Sequence, residues 1–119
     1  MTENLKCVMV IDEKLPLGLI ANTSAVLGIT LGKNFPEIVG ADVSDKSGHI
    51  HLGITEFPIP ILKGNVELIR EIRTKLYQQE FSELTVVDFC DVAQSCNAYE
   101  DFTREMSKTD EDALSYMGI

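Results

Sequence analysis

Short apolar runs, separated by polar and turn-forming residues, set the pattern of this chain. The first run, residues 7–11, is continuous and rich in β-branched side chains, which is typical of a strand buried on both faces of an α/β sheet. The run stops at Asp12, and Pro16 and Gly18 interrupt regular structure. We therefore expect a loop and then a helix that begins near Gly18, whose small residues allow close packing against the sheet.

The middle of the chain predicts a hairpin and an edge strand. Residues 38–43 form a second apolar run, and a turn-forming Asp-Lys-Ser-Gly cluster follows it. We expect a strand at this run and a hairpin over residues 38–52. Residues 57–62 are also apolar, but two prolines remove two hydrogen-bond donors. That segment predicts an edge strand or an extended segment.

The second half of the chain predicts two helices and two more strands. Asn65 is a good N-cap, and the apolar residues after it recur at i, i+3 and i+7, which predicts a helix to about position 80. Residues 84–89 predict a buried strand, and residues 98–106 predict another helix. The last four residues, 116–119, have the pattern of the start of a strand.

Composition and charge narrow the class of protein. The 119 residues are 45% hydrophobic and 24% charged, close to the average of soluble globular domains. We expect a single α/β domain over residues 1–119, with a mixed, partly parallel sheet. No apolar run approaches the roughly 20 residues of a membrane span, so no membrane partner is expected. The net charge of −9 repels phosphate backbones, which argues against a nucleic-acid partner.

The sequence contains no recognised cofactor or metal motif. Cys7, Cys90 and Cys96 lack the spacing of a disulfide framework or a zinc site, which fits reduced thiols in a cytoplasmic protein. A Gly-rich phosphate loop, a nucleotide fingerprint and a Ser-His-Asp pattern are all missing. We therefore expect no cofactor and a cytoplasmic location.

Polar residues collect where the predicted strands end. Ligands of α/β sheets bind at the carboxyl ends of parallel strands, and that edge should hold the loops after the first strand and after residues 84–89. The residues expected there are Asp12, Lys14, Asn22, Thr23, Asp88, Asp91, Gln94 and Ser95. Asp88 with Lys14 could perform acid–base chemistry if burial shifted their pKa values. The alternative is that the aspartates end their strands and that Asn22 and Thr23 satisfy local backbone groups.

Two histidines and one cysteine are further candidates. His49 and His51 share one face of a strand but lack a third metal ligand. His51 lies inside a His-x-Gly-Ile-Thr element and is a candidate catalytic residue; the alternative is an ordinary polar residue of an exposed hairpin. Cys90 has acidic neighbours, which would raise the pKa of its thiol. We expect a buried thiol there rather than a nucleophile.

Four separated segments carry a resemblance to a known family. They are NTSAVLG (22–28), GADVSDKSGHIHLGIT (40–55), PIPIL (58–62) and VVDFCDVAQS (86–95). With these segments, nearly the whole chain resembles the bacterial family called domain of unknown function 2000. The resemblance implies a three-layer α/β/α fold.

The opening segment also resembles that of type II peptidyl-tRNA hydrolases. Residues 6–21 fit the pattern K-x-V-x-V-I-D-x-K-L-x-x-G-x-I-A, and Asp12, Lys14 and Asp88 match positions of the hydrolase motif. Other positions of that motif depart from it here, at Leu19, Thr23, Val26 and Val92. Leu19 stands where the hydrolase has a lysine, and an aliphatic side chain cannot stabilise an oxyanion. The resemblance therefore implies the hydrolase fold without its activity.

These observations predict a binding domain. We expect a small-molecule ligand or a protein partner at the polar edge, and a homodimer, because residues 57–62 form a proline-bearing edge and the chain is apolar for its size. The alternative is an active hydrolase, of peptidyl-tRNA or of another ester or amide, that uses Asp88 with Lys14 or His51.

Overall fold

The computed structural model describes residues 5–119, in which a four-stranded sheet lies between two layers of helices. The strands and helices are, in chain order, β1 (Met9–Asp12), α1 (Leu17–Asn34), β2 (Val43–Ser44), β3 (Ile50–His51), β4 (Ile61–Gly64), α2 (Val66–Leu76), β5 (Phe89–Cys90), α3 (Asp91–Ser95), α4 (Tyr99–Ser107) and β6 (Tyr116–Gly118). Short 3-10 turns cover Pro36–Ile38, Gln79–Phe81 and Glu111–Ala113.

The sheet is mixed and has the strand order β4-β1-β6-β5. β1 is parallel to β4, whereas β6 is antiparallel to both of its neighbours, β1 and β5. β1, β4 and β5 therefore run in the same direction, and their carboxyl ends lie at one edge of the sheet. This arrangement confirms the predicted α/β fold with a mixed, partly parallel sheet.

One face of the sheet packs against α1. Met9, Phe89 and Met117 form a buried cluster with Leu27 of that helix. Phe89 is opposite Gly118 and Cys90 is opposite Tyr116, so Met117 is an extra residue in β6 and the ladder is bulged there.

The other face of the sheet packs against α2 and α4. Ile69 of α2 is fully buried and joins Cys90, Leu114 and Tyr116, and Phe102 of α4 packs against the same cluster. The Asn65 side chain accepts a hydrogen bond from the Leu68 N–H at 2.8 Å, which confirms it as the N-cap of α2. Helices on both faces of the sheet make the predicted three-layer α/β/α architecture.

The strand predicted at residues 38–43 is wrong. Pro36–Ile38 forms a 3-10 turn that buries Ile38, and ladder pairing is limited to one bridge between Val39 and Thr55 and to the two-residue strands β2 and β3. Between these, a carboxylate oxygen of Asp42 accepts the Gly53 N–H at 2.9 Å and replaces a backbone acceptor. The predicted hairpin is confirmed, as a ribbon of two chains with an interrupted ladder.

Two other predicted strands are shifted along the chain. β4 begins only after the second proline, whose carbonyl accepts the Met9 N–H at 2.9 Å, and β4 lies at the predicted edge of the sheet. β5 covers only Phe89–Cys90, because these are the residues that lie opposite β6. Residues 84–88 therefore run up to the sheet without a paired neighbour in the described chain.

The helix predicted from Asn65 to about position 80 ends earlier, since α2 stops at Leu76 and a 3-10 turn follows. The helix predicted at residues 98–106 is confirmed within one residue as α4. Within residues 5–119, no helix combines the length and the hydropathy needed to cross a bilayer.

Candidate functional site

The loop after β1 folds on the carboxylate of Asp12. Its side chain is only 8% exposed, and Oδ1 accepts the backbone N–H of Lys14 at 3.0 Å, which is an Asx-turn. The next residue, Glu13, donates its N–H to the Gly64 carbonyl at 3.0 Å and joins this loop to β4. Lys14 itself is exposed. Asp12 therefore shapes the loop, and this geometry supports the structural alternative for it.

Two of the predicted ligand-binding residues lie on α1 and have different surroundings. Asn22 is exposed. Thr23 is fully buried, and its hydroxyl donates to the Leu19 carbonyl at 2.7 Å. Its methyl group lies against Gly118, where an added Cβ would be 2.5 Å from Thr23 Cγ2. Thr23 thus occupies the contact between helix and sheet rather than an open surface.

The three remaining polar residues lie on α3, a helix of five residues that follows β5 directly. Asp91 accepts the Ser115 N–H at 3.0 Å through its side chain and donates its own N–H to the Ser115 carbonyl at 2.9 Å. Gln94 is exposed, and Ser95 donates its hydroxyl to the Val92 carbonyl at 2.9 Å. The pairing with Ser115 fixes α3 to the segment that leads into β6.

Asp88 lies before β5 and not after it, which differs from the predicted position. Its Oδ2 is 2.9 Å from Nε of Arg73 on α2, although the N–H there is not aligned for a hydrogen bond. The Arg73 guanidinium also stacks on the Tyr77 ring, 4.0 Å from the centroid. Burial raises the pKa of Asp88, and the attraction of Arg73 opposes this shift.

A second polar cluster, which the sequence reasoning missed, joins α2 to the end of the chain. Arg70 contacts the Glu111 carboxylate at 3.3 Å and donates to the backbone carbonyls of Glu111 and Leu114. The Tyr116 hydroxyl donates to the Glu111 carboxylate at 2.6 Å, and burial is the main cause that raises the pKa of Tyr116. The available signal was the spacing of Arg70, Arg73 and Tyr77, which at i, i+3 and i+7 share one face of the helix.

His51 lies on the hairpin, whose residues 41–52 are all exposed. Its Nε2 is 2.8 Å from the Asp45 carboxylate. This contact, followed by the backbone N–H of His49, lowers the pKa of Asp45. His51 is therefore paired within its own hairpin.

The fold brings together some of the predicted residues and separates others. The loop after β1, the start of α1 and α3 all lie at the carboxyl edge of the sheet, as expected. Asp88, paired with Arg73 in the last turn of α2, and His51, on the hairpin, are not part of that group. Among residues 5–119, no group of three or more His, Cys, Asp or Glu side chains is placed to hold a metal ion.

The cysteines of the described chain are all free thiols. Cys90 is 2% exposed, and its Sγ is 3.9 Å from Met106 Sδ. Burial raises the pKa of the Cys90 thiol, with smaller contributions from Asp88 and Asp91. Cys90 is thus the buried, unreactive thiol that the sequence predicts.

The largest open space lies at the opposite edge of the sheet. A cleft of about 390 Å³ is bounded by the segment before β1, the segment before β5 and the second halves of α1 and α2; we call it the amino-end cleft. Its lining includes Cys7, Val8, Leu31, Ile72, Leu76 and Val86. A smaller cavity of about 180 Å³ adjoins it and shares Cys7 and Leu84. Sequence reasoning missed this cleft because it directed attention to the carboxyl edge.

Comparisons with known proteins agree with this fold. A protein of unknown function from Agrobacterium tumefaciens, Atu0240, has a structure similar to this one, with a TM-score of 0.84 and 17% sequence identity. The match covers 95% of this chain and 82% of the other chain. At that identity, the likeness concerns the fold alone. Among curated proteins, no relative matches the chain.

The family model agrees with the resemblance seen in the sequence. The likeness to type II peptidyl-tRNA hydrolases stays a prediction. The model described as "Protein of unknown function (DUF2000)" matches residues 5–119, which is nearly the whole chain. The chain belongs to the DUF2000 family.

Proposed function

We propose that this chain is a binding domain that holds an apolar partner in the amino-end cleft, and that it is not an enzyme. The observation that supports this proposal is the cleft itself, whose volume of about 390 Å³ is within the range of roughly 300–1,000 Å³ usual for ligand pockets. Aliphatic side chains from both helix layers line it. Removing apolar surface from water contributes about 25 cal/mol per Å², so such a cleft is stabilised by an apolar occupant.

The chemistry of the lining selects the partner. Lys6 and Thr85 are the side chains with charge or a hydroxyl among the residues that line the cleft, and both are exposed. Burial raises the pKa of the Cys7 thiol, which keeps it protonated and uncharged. The partner is therefore recognised by apolar contact and shape, and a charged group on it would have to stay at the rim.

The polar residues of the carboxyl edge support a structural role better than a ligand site. Asp12, Thr23 and Asp91 each bond to nearby backbone groups. Asn22, Gln94 and Ser95 are predicted to bind a ligand from the same edge, and that prediction is kept as the second site of the proposal.

The hydrolase alternative needs a base and an acid within reach of one substrate. Asp88 is paired with Arg73, and His51 is paired with Asp45. Lys14 is exposed on the loop after β1, a third location. This separation supports the binding proposal, and the residues named for the hydrolase stay predictions.

The proposal is tested by titrating the protein with 1-octanol, an uncharged apolar probe, and by comparing two leucine variants. Leu84 lines the cleft and is 57% exposed, so Leu84→Asp places a carboxylate at the binding surface without burying it. Leu17, 81% exposed at the start of α1, provides the matched control Leu17→Asp. We expect Leu84→Asp to weaken octanol binding at least 10-fold and Leu17→Asp to leave it unchanged. Equal affinities in both variants would contradict the proposal.

The proposal includes a homodimer in the cytoplasm. β4 is an edge strand of the sheet, and the side chains of Ile61 and Leu62 on it are each 52% exposed. An open edge with apolar side chains is a template for pairing with another strand, and the same edge of a second copy is its simplest partner.

A further inference from the structure

The amino-end cleft has the form of an unfilled strand position. In the sheet, β6 lies between β1 and β5, and it runs as far as Ile119, which exchanges two backbone hydrogen bonds with Val10 at 2.9 and 3.0 Å. In line with β6, the cleft continues between Val8 on one side and residues 85–87 on the other. Its two sides are therefore one strand position apart, about 10 Å at the 4.7–4.9 Å spacing of a sheet.

The backbone on the β1 side of the cleft is ready to pair. Along a strand, backbone groups point alternately to the two neighbours. Met9 donates to Pro60 on the β4 side, whereas Val10 bonds to Ile119 on the β6 side. Val8, two residues before Val10, therefore turns its N–H and C=O toward the cleft, and neither has a backbone partner within the described chain.

The backbone on the other side of the cleft is in the same condition. Thr85, Val86 and Val87 are extended and make no backbone hydrogen bond within residues 5–119. An apolar small molecule would fill the space but would leave these polar groups without partners, which costs free energy for each group removed from water. An extended peptide supplies donors and acceptors to both sides at once.

The side chains of the cleft define the peptide. Leu27 and Leu31 of α1 line one face, and Ile72 and Leu76 of α2 line the other. Successive side chains of a strand point to opposite faces, so both faces of the occupant meet aliphatic groups. The matching sequence is a continuous run of aliphatic or β-branched residues, as in a strand buried on both faces.

We propose that the amino-end cleft binds an extended, aliphatic peptide segment of another polypeptide, which adds a strand in line with β6 and antiparallel to β1. This inference rests on the proposed function and specifies its partner. Binding by strand addition takes its affinity from main-chain hydrogen bonds and its specificity from the pockets for alternate side chains.

The test uses the capped pentapeptide acetyl-TVLVT-amide and a matched peptide with the same side chains in which the second and fourth residues are N-methylated. Methylation removes two main-chain donors and keeps the apolar surface. We expect the unmodified peptide to bind at least 10-fold more tightly and to slow hydrogen exchange at the Val8 amide. We also expect Leu84→Asp to weaken its binding and Leu17→Asp to leave it unchanged.

The outcomes separate this inference from the proposed function. Equal affinity of the two peptides, or octanol binding without peptide binding, would overturn strand addition and leave an apolar ligand site. Binding of neither probe would overturn both. If the Val8 amide is already protected in the protein alone and the protein is a dimer, a second copy occupies the position, and the proposal of a separate polypeptide is wrong.

Discussion

At the scale of single residues, the closest contact between helix and sheet is at Gly118. An added Cβ there would lie 2.5 Å from Thr23 Cγ2 and 3.4 Å from side-chain atoms of Ile11 and Leu27. The absence of a side chain at Gly118 is what allows α1 to approach β6. The sequence indicated such close packing through the small residues of α1, but which glycine in the sheet receives the helix depends on the strand order.

Replacing Gly118 by alanine should destabilise the protein by about 1–3 kcal/mol, the usual cost of overpacking a core. Thr23→Ser removes the methyl group that the new Cβ would meet and keeps the hydroxyl. We therefore expect the double variant to recover part of the loss, measured as free energy of unfolding in urea. Gly32 in α1 has open space around its Cβ position, so Gly32→Ala should instead stabilise the protein by up to about 1 kcal/mol. Additive losses in the double variant would contradict the contact.

The Asp88 carboxyl should make stability depend on pH. Burial raises its pKa in the folded protein above the unfolded value of about 3.9. Its contribution to stability is therefore complete below that value and is lost as pH rises through the folded pKa. Relative to Asp88→Asn, the wild-type protein should lose stability as pH rises from about 3.9 towards neutrality, measured by urea unfolding at each pH.

A stability difference that grew with pH would mean that the attraction of Arg73 outweighs burial. The control is Arg73→Gln, which removes the opposing cation. In that variant, an NMR titration of the Asp88 carboxyl should give a pKa higher than in the wild-type protein.

At the scale of elements, local sequence signals place the helices well and the short strands poorly. The cap at Asn65 and the apolar spacing after it place α2, and the prolines before β4 delay that strand until Ile61. β5 is short because its length depends on a neighbour, β6, that lies 26 or more residues later in the chain. Residues 84–88 have the composition of a strand, and composition cannot show whether a partner is present.

The cap of α2 provides a direct test at this scale. Asn65→Ala removes the acceptor for the Leu68 N–H and should cost about 1 kcal/mol of stability. Asn65→Asp keeps an acceptor and adds a negative charge at the helix N-terminus, so it should retain or raise stability. Thermal unfolding of the three proteins measures the effect, and equal losses in both variants would contradict capping by this side chain.

At the scale of the whole molecule, the hairpin and the open ends of the sheet dominate. The radius of gyration is 16.4 Å, whereas a compact chain of this length would have about 13.5 Å. Residues 41–52 are exposed throughout and include Val43, Ile50 and Leu52. The fold class could be predicted from element order, but the strand order and the amino-end cleft could not, because both depend on β6 entering the sheet between β1 and β5.

The homodimer proposal is tested on the edge strand. The wild-type protein should sediment as a species of twice the 13.2 kDa chain mass at micromolar concentration. Ile61→Lys places a charge on the open edge, which natural sheets use to prevent edge pairing, and should give a monomer. Leu17→Lys, equally exposed apolar surface at another site, should leave the dimer intact. A 13.2 kDa wild-type species would remove the proposal.

The central claim is that the binding surface is the amino-end cleft. The most direct measurement is the change in backbone amide NMR shifts as 1-octanol is added to the wild-type protein. The account predicts changes at Cys7, Val8 and residues 84–87, with little change at the carboxyl edge. Changes confined to the loop after β1 and to α3 would contradict it and would return the binding site to the edge predicted from the sequence.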